Sequence, residues 1–184
     1  MKTIILIILC FVSVNAEAIQ YVYRVDFRGP ADIFNTGFAS LGDNRNLLLH
    51  IRGHSCFGSS ANSYYISTSG DIDSVRRIAQ VLLARNSGQS SIYLYRIRAD
   101  QNVYSLSRTI EQIRSTPTGE VEYTEADLRL ANNQNEYIAL GLIPTSNIRN
   151  ATTLTVDRVS QQLVDGSVTE NTNYINIGTI ANAG

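Results

Sequence analysis

Three short segments, far apart in the chain, carry side chains whose types could do chemistry together. They are Arg24 and Asp26 in Tyr23-Arg24-Val25-Asp26, then Ser67-Thr68-Ser69, then Gln134 and Glu136 in Gln134-Asn135-Glu136. An arginine offers a planar fork of donors suited to a phosphate or a ribose. A serine orients a neighbour by hydrogen bonding, and a glutamate opposes positive charge that develops in a transition state. Such a set suits the breaking of a sugar–nitrogen bond through an oxocarbenium-like state. Glycosidases meet a comparable demand with carboxylates and contacts to the adjacent hydroxyl, which makes Glu136 the candidate catalytic carboxylate. Gln134, two residues earlier, shares its face if the segment is extended, or is presented by a turn. The plainer readings are a strand-face ion pair between Arg24 and Asp26, an ordinary strand serine at Ser67 and an exposed strand glutamate at Glu136.

Each segment lies in or beside a run rich in β-branched and aromatic residues, so strands are expected to position all three around a cleft. Tyr21 to Arg28 alternates Val22, Arg24, Asp26 and Arg28 against Tyr21, Tyr23, Val25 and Phe27, which puts Arg24 and Asp26 on one face. Gly29-Pro30 ends that strand, and a brief helix is expected towards Gly37. Asn44 to Ile51 reads equally as helix or tight loop, and Gly53 to Asn62 as a loop. Tyr64 to Thr68 predicts a strand delivering Ser67 and Ser69 on one face. Ile72, Val75, Ile78, Ala79, Leu82 and Leu83 recur at helical spacing, with Asn86 and Gly88 as an ending. Ser91 to Arg98 and Val103 to Leu106 predict strands joined by an Asp100-Gln101-Asn102 turn. Thr124 to Asp127 has the form of a capping box, with Asn132-Asn133 closing that helix before a strand at Glu136 to Leu140. Ile148 to Val159 predicts a last strand, and Gly166 begins a polar tail. Many strands with a few helices, without regular alternation, predict an α+β domain.

Lys2, the apolar stretch Ile4 to Val14 and the small-residue pattern Val14-Asn15-Ala16 form a secretory leader. Residues 1–16 are therefore read as a signal peptide, although Ala16-Glu17-Ala18 fits cleavage nearly as well. Residues 17–184 are read as one catalytic domain of about 165 residues, a length that suits one substantial core. The leader is too short to span a membrane, and no later stretch is apolar for long enough. A formal net charge of −1 argues against a nucleic-acid binder. Lys2 is the only lysine; every other basic residue is an arginine. The 2 histidines and 2 cysteines, of which Cys10 leaves with the leader, do not supply a metal site, and no dinucleotide-fold glycine pattern occurs.

The order and types of the three segments resemble the mono-ADP-ribosyltransferase toxins, above all the pertussis-toxin-like catalytic A subunits. The resemblance runs from about Tyr21 to about Ile148. It includes Asp32 to Phe38, Asn46 to His50, Gly53-His54-Ser55-Cys56, Arg96 to Tyr104, Glu136-Tyr137, Ile143-Pro144 and Asn147-Ile148. It implies an ADP-ribosyltransferase-like fold in which two antiparallel sheets form an NAD cleft flanked by a few helices.

The resemblance also implies roles. NAD is the substrate, with no metal. Glu136 is the catalytic glutamate, His50 polarises the acceptor or touches the nicotinamide ribose, and Gln134 contacts the acceptor. Arg24, Asp26, Ser67, Thr68 and Ser69 form the NAD-binding set, with Ser67 fixing Glu136 by a hydrogen bond. Tyr23, Tyr64, Tyr65 and Tyr137 either stack on nicotinamide or adenine or belong to the core, and His54 is read as a loop residue. A glutamine at position 134 disfavours arginine as acceptor and favours cysteine or another non-arginine side chain, and the implied target is a heterotrimeric G protein α subunit in the host cytosol. In the family the cysteine matching Cys56 pairs with one near the carboxy terminus, for which this chain has no counterpart. A carboxy-terminal helix also threads a pentameric ring of binding subunits there; this chain ends at Gly184, which puts that partner in question. The alternative readings are NAD hydrolysis with water as acceptor, or a catalytically weak binding module. The intact set of Arg24, Ser67, Gln134 and Glu136 argues against the second.

Overall fold

The alternation from Tyr21 onward forms strand β1 (Tyr21–Asp26), two residues shorter than the pattern. Asp26 ends it by turning back on Arg28, whose backbone N–H donates to Oδ1 at 2.9 Å. The computed structural model describes residues 19–177 apart from 57, 58, 60, 117–121 and 158. The expected leader and its cleavage point lie outside the described residues.

β1 sits at the middle of a seven-stranded sheet with β3 (Tyr65–Ser69), β4 (Ser91–Arg98), β5 (Val103–Ser105), β6 (Glu136–Leu140), β8 (Ile148–Val156) and β9 (Leu163–Glu170). The order is β5-β6-β3-β1-β4-β8-β9, with every neighbouring pair antiparallel. A second, two-stranded antiparallel sheet joins β2 (Phe38–Ala39) to β7 (Leu142–Ile143). The expected α+β class and antiparallel sheets are found, though the sheets are very unequal. β1 runs in register with β4 from Tyr21 opposite Arg98 to Asp26 opposite Tyr93. With β3 it shares only Tyr23 opposite Ser69. Beyond that point the two strands part, and the gap lies next to both Arg24 and Ser67.

Helices cover the sheet in two groups. α3 (Ile72–Arg85) is capped by Asp71, whose carboxylate accepts from the N–H groups of Asp73 and Ser74. Its Val75, Ala79 and Leu83 are buried with Ile92, Leu94 and Leu154. α2 (Leu47–Ile51), α4 (Leu106–Ser115) and α5 (Glu125–Asn133) bury Leu47, Leu106, Ile110 and Ala131 against Ile138. α1 (Pro30–Thr36) contributes Ile33 to a third cluster with Val22, Phe38, Tyr95, Ile97 and Ile148. Burying each large aliphatic or aromatic side chain contributes about 1.5–3 kcal/mol.

Several elements differ from the sequence reading. Leu106 opens α4 instead of ending a strand, because the Ser105 hydroxyl caps the helix by accepting from the N–H of Arg108. β9 occupies what reads as the start of a polar tail. β8 stops at Val156 because Asp157 forms a turn, accepting from the N–H groups of Val159 and Ser160.

Candidate active site

Arg24 extends from β1 across the gap and donates from Nη1 to the Ser67 carbonyl at 2.8 Å. Its Nη2 lies 3.6 Å from Asp26 Oδ2, so the expected shared face is present. Asp26 is held more firmly by Arg28, which donates from Nε at 2.9 Å and from Nη2 at 2.7 Å. Burial raises the Asp26 pKa, but the hydrogen bonds from Arg28 outweigh this and leave it below its ordinary value. Phe38 lies beneath both guanidiniums, 5.3 Å from Arg24 and 5.6 Å from Arg28. Burial pulls Arg24 below its ordinary pKa, partly offset by Asp26. Its buried Nε finds no partner among the described residues. Arg24 is thus fixed on the protein side while keeping donor capacity for an anion.

β3 divides the hydroxyls of Ser67, Thr68 and Ser69 between its two faces. Tyr65, Ser67 and Ser69 stand opposite Leu140, Ile138 and Glu136 of β6, on one face. Ser67 Oγ lies 3.1 Å from His50 Nε2; its partner is that ring, rather than Glu136 as expected. Thr68 is buried and donates to the Tyr137 carbonyl at 2.8 Å, so its hydroxyl ties β3 to β6 and lies outside the group. Ser69, also buried, donates to the Gln134 carbonyl at 2.5 Å and accepts from Asp71 N–H. It therefore pins the turn that precedes Glu136.

That turn presents Gln134 as the exposed cap residue of α5, followed by Asn135 at φ 42°, so the extended alternative for Gln134 is replaced by the turn. Gly70 packs beneath it: a Cβ there would lie 2.8 Å from Tyr137 Cε2 and 2.9 Å from Asn135 Nδ2. Glu136 opens β6 with a side chain 12% exposed, and its Oε1 lies 3.6 Å from His50 Nε2.

His50 lies on α2, so the undecided segment is a helix from Leu47 to Ile51, capped by Asn46 accepting from Leu49 N–H. The ring is buried. Nε2 faces Ser67 and Glu136, while Nδ1 lies 2.8 Å from Ser63 Oγ and 3.2 Å from Cys56 Sγ. Burial lowers the pKa, but hydrogen bonds to Cys56 and Glu136 overcome it and raise it to about 9. At neutral pH this favours the imidazolium, whose Nε2 faces the Glu136 carboxylate. Tyr65 lies edge-on to it at 5.3 Å. Tyr23 and Tyr137 pack against core clusters, and Tyr64 carries the Arg45 guanidinium at 3.9 Å.

α2 is tied to the helix that delivers Glu136. Arg52, immediately after α2, donates from Nε and Nη2 to the two oxygens of Asp127 on α5, each at 2.9 Å. Asp127 also completes the expected capping box with Thr124. The hydrogen bonds from Arg52 and Thr124 hold its pKa well below the usual carboxylate range. Sequence reasoning found the box but missed Arg52 and Ser63, which carry no local pattern that marks them.

Arg24, Ser67, His50 and Glu136 thus form one connected set, with Asp26 and Cys56 at its margins. The family profile described as Pertussis toxin, subunit 1 matches residues 17–183. The pertussis toxin subunit 1 homolog of Bordetella parapertussis is 35% identical over 178 residues, which is 88% of this chain and 62% of that protein. The ADP-ribosylating toxin CARDS of Mycoplasma pneumoniae is 33% identical over 147 residues, 72% of this chain and 24% of that one. The solved structure of EcPltA superposes with a TM-score of 0.80 at 32% identity, covering 92% of this chain and 94% of that one. The chain spans less than two thirds of the Bordetella protein's length.

Proposed function

This chain belongs to the pertussis toxin subunit 1 family, and we propose that it transfers ADP-ribose from NAD to a host protein. The observation that carries the reading is the Glu136 carboxylate held 3.6 Å from buried His50, beside a strand gap bridged by Arg24. NAD enters that gap with a phosphate or the nicotinamide-side ribose on the free donors of Arg24. Glu136 takes a ribose hydroxyl and opposes the charge on the ribose carbon as the bond to nicotinamide breaks. The bonding pair leaves with nicotinamide; the acceptor then bonds to the ribose carbon and gives up its proton. His50, as a cation, holds Glu136 in place through these steps. Ser69 and Thr68 act on the backbone that frames the site rather than on NAD.

Gln134, exposed beside Glu136, offers the acceptor a neutral amide, which favours a thiol over a guanidinium. A cysteine of a G protein α subunit is the target we propose, on the resemblance to pertussis-type A subunits. The apolar stretch and small-residue pattern of residues 1–16 support export behind a leader, and the same resemblance supports one catalytic domain over residues 17–184, action in the host cytosol and a ring of binding subunits as partner. The test is incubation with labelled NAD and a eukaryotic extract, beside Glu136→Ala, with mass spectrometry of the labelled protein. Labelling by the parent alone, on cysteine, is expected. Labelling on arginine overturns the acceptor, free ADP-ribose alone replaces transfer by hydrolysis, and no loss of NAD overturns the reading.

A further inference from the structure

We propose that Ser63 is a positioning residue for this reaction, holding the Nδ1 side of His50 in both protonation states so that Nε2 stays on Ser67 and Glu136. The proposal rests on the transferase reading of the site, but its geometry stands apart from it.

Ser63 is fully buried, at 0% exposure. Its backbone is fixed at both ends: its N–H donates to the Ser55 carbonyl at 3.0 Å, and its carbonyl accepts from Gly42 N–H at 3.1 Å. The hydroxyl has little choice of partner. Oγ accepts from Tyr65 N–H at 3.1 Å, meets His50 Nδ1 at 2.8 Å, and has the Tyr65 carbonyl at 3.4 Å as its remaining acceptor.

A hydroxyl both donates and accepts, and a thiol does each weakly. When His50 is neutral with its proton on Nε2, Ser63 donates to Nδ1. When His50 is an imidazolium, Ser63 accepts from Nδ1–H and turns its own proton to the Tyr65 carbonyl. Cys56 Sγ, at 3.2 Å from the same nitrogen, is the competing partner and is also drawn to the His50 carbonyl at 3.5 Å. The titratable groups facing the ring are Glu136 from β6, Cys56 from the loop after α2, and the Tyr65 phenol from β3. Ser63 does not titrate, and at 2.8 Å it lies nearer Nδ1 than Cys56 does at 3.2 Å. Its place behind the ring, away from Glu136, is that of a group acting through His50.

With 2 histidines in the chain, nitrogen-15 NMR of the ring resolves His50 from exposed His54. In the parent protein, the Nδ1 proton of the imidazolium is expected to show a nuclear Overhauser contact to the Ser63 β-protons. Ser63→Ala is expected to move the neutral-state Nδ1 resonance towards that of an unbonded nitrogen. It should lower kcat about 10-fold with KM for NAD unchanged, and Ser63→Thr should recover most of it. If Cys56→Ala moves Nδ1 and kcat while Ser63→Ala moves neither, the thiol holds the ring and the proposal is overturned. An Overhauser contact to Cys56 in place of Ser63 overturns it in the parent alone, even should Ser63→Ala not fold. A parent that cleaves no NAD would defeat the transferase reading and leave the NMR test of Ser63 standing.

Discussion

Arg24 closes the strand gap through the Ser67 carbonyl, while its buried Nε has no partner among the described residues. Lysine preserves the charge but not the fork. Arg24→Lys should therefore raise KM for NAD at least 10-fold, of the order of the 1.5–3 kcal/mol of a charged hydrogen bond, as isothermal titration would also report. His50 gives a pH prediction with a definite sign. Its folded pKa, about 9, lies above the ordinary 6.5, so the stabilisation it brings is complete below 6.5 and disappears as pH rises through about 9. Denaturant unfolding should lose about 1–3 kcal/mol between pH 6.5 and pH 10, and His50→Gln should flatten that difference. A parent curve no steeper than that of His50→Gln would contradict the ion pair. At this scale the sequence was legible where side chains alternate on strands. Arg24, Ser67 and Glu136 announce themselves by type and period. Ser63 sits at the end of a Gly/Ser-rich stretch, where nothing in composition separates a buried hydroxyl from an exposed one. The partner of Ser67 was misread because α2, which brings His50 between Ser67 and Glu136, joins them only in three dimensions.

α2 is short, and a helix of its length has little stability of its own. Its position depends on Arg52 and Asp127, which link it to α5 and so link His50 to the turn before Glu136. Asp127→Ala removes the capping box and the anchor together. It should cost about 1–2 kcal/mol from lost capping alone, read as a lower unfolding midpoint. It should also lower kcat more than Glu125→Ala does, since Glu125 pairs at the surface with Arg114. Equal effects of the two would deny the tether. Gly70→Ala tests the turn from beneath, since its Cβ would press on Tyr137 and Asn135. Overpacking of this kind costs about 1–3 kcal/mol. The helices were legible from caps and period: apolar spacing from Ile72 to Leu83 marks α3, and Thr124 starts α5 as its type requires. α4 was hidden because Leu106, Ile110 and Ile113 follow directly on a strand, leaving no breaker between them. β9 was hidden because its residues are mostly exposed, so pairing with β8 shapes it more than any apolar face of its own.

The molecule is organised around a sheet that divides at β1 and β3, with α3 covering one part and α2, α4 and α5 the other. The sequence supplies the strands, but their order depends on contacts between residues far apart, and no local pattern places β1 between β3 and β4. The packing predicts where the fold is most resistant. β4 buries Ile92, Leu94, Tyr95 and Ile97 between two partner strands, whereas β9 is an edge strand. Amide exchange should be slowest in β4 and fastest among the strands in β9. The division of the sheet makes the site: it opens the gap beside Arg24 while Ser69 and Thr68 keep β3, β6 and the Glu136 turn together. That arrangement has meaning only if Glu136 acts on NAD. The most direct test is the rate of nicotinamide release from NAD by the purified parent and by Glu136→Gln, with equal unfolding midpoints established first. The account predicts that Glu136→Gln is slower by about 100-fold or more, as loss of a group that stabilises transition-state charge entails. Equal rates in the two proteins would contradict it.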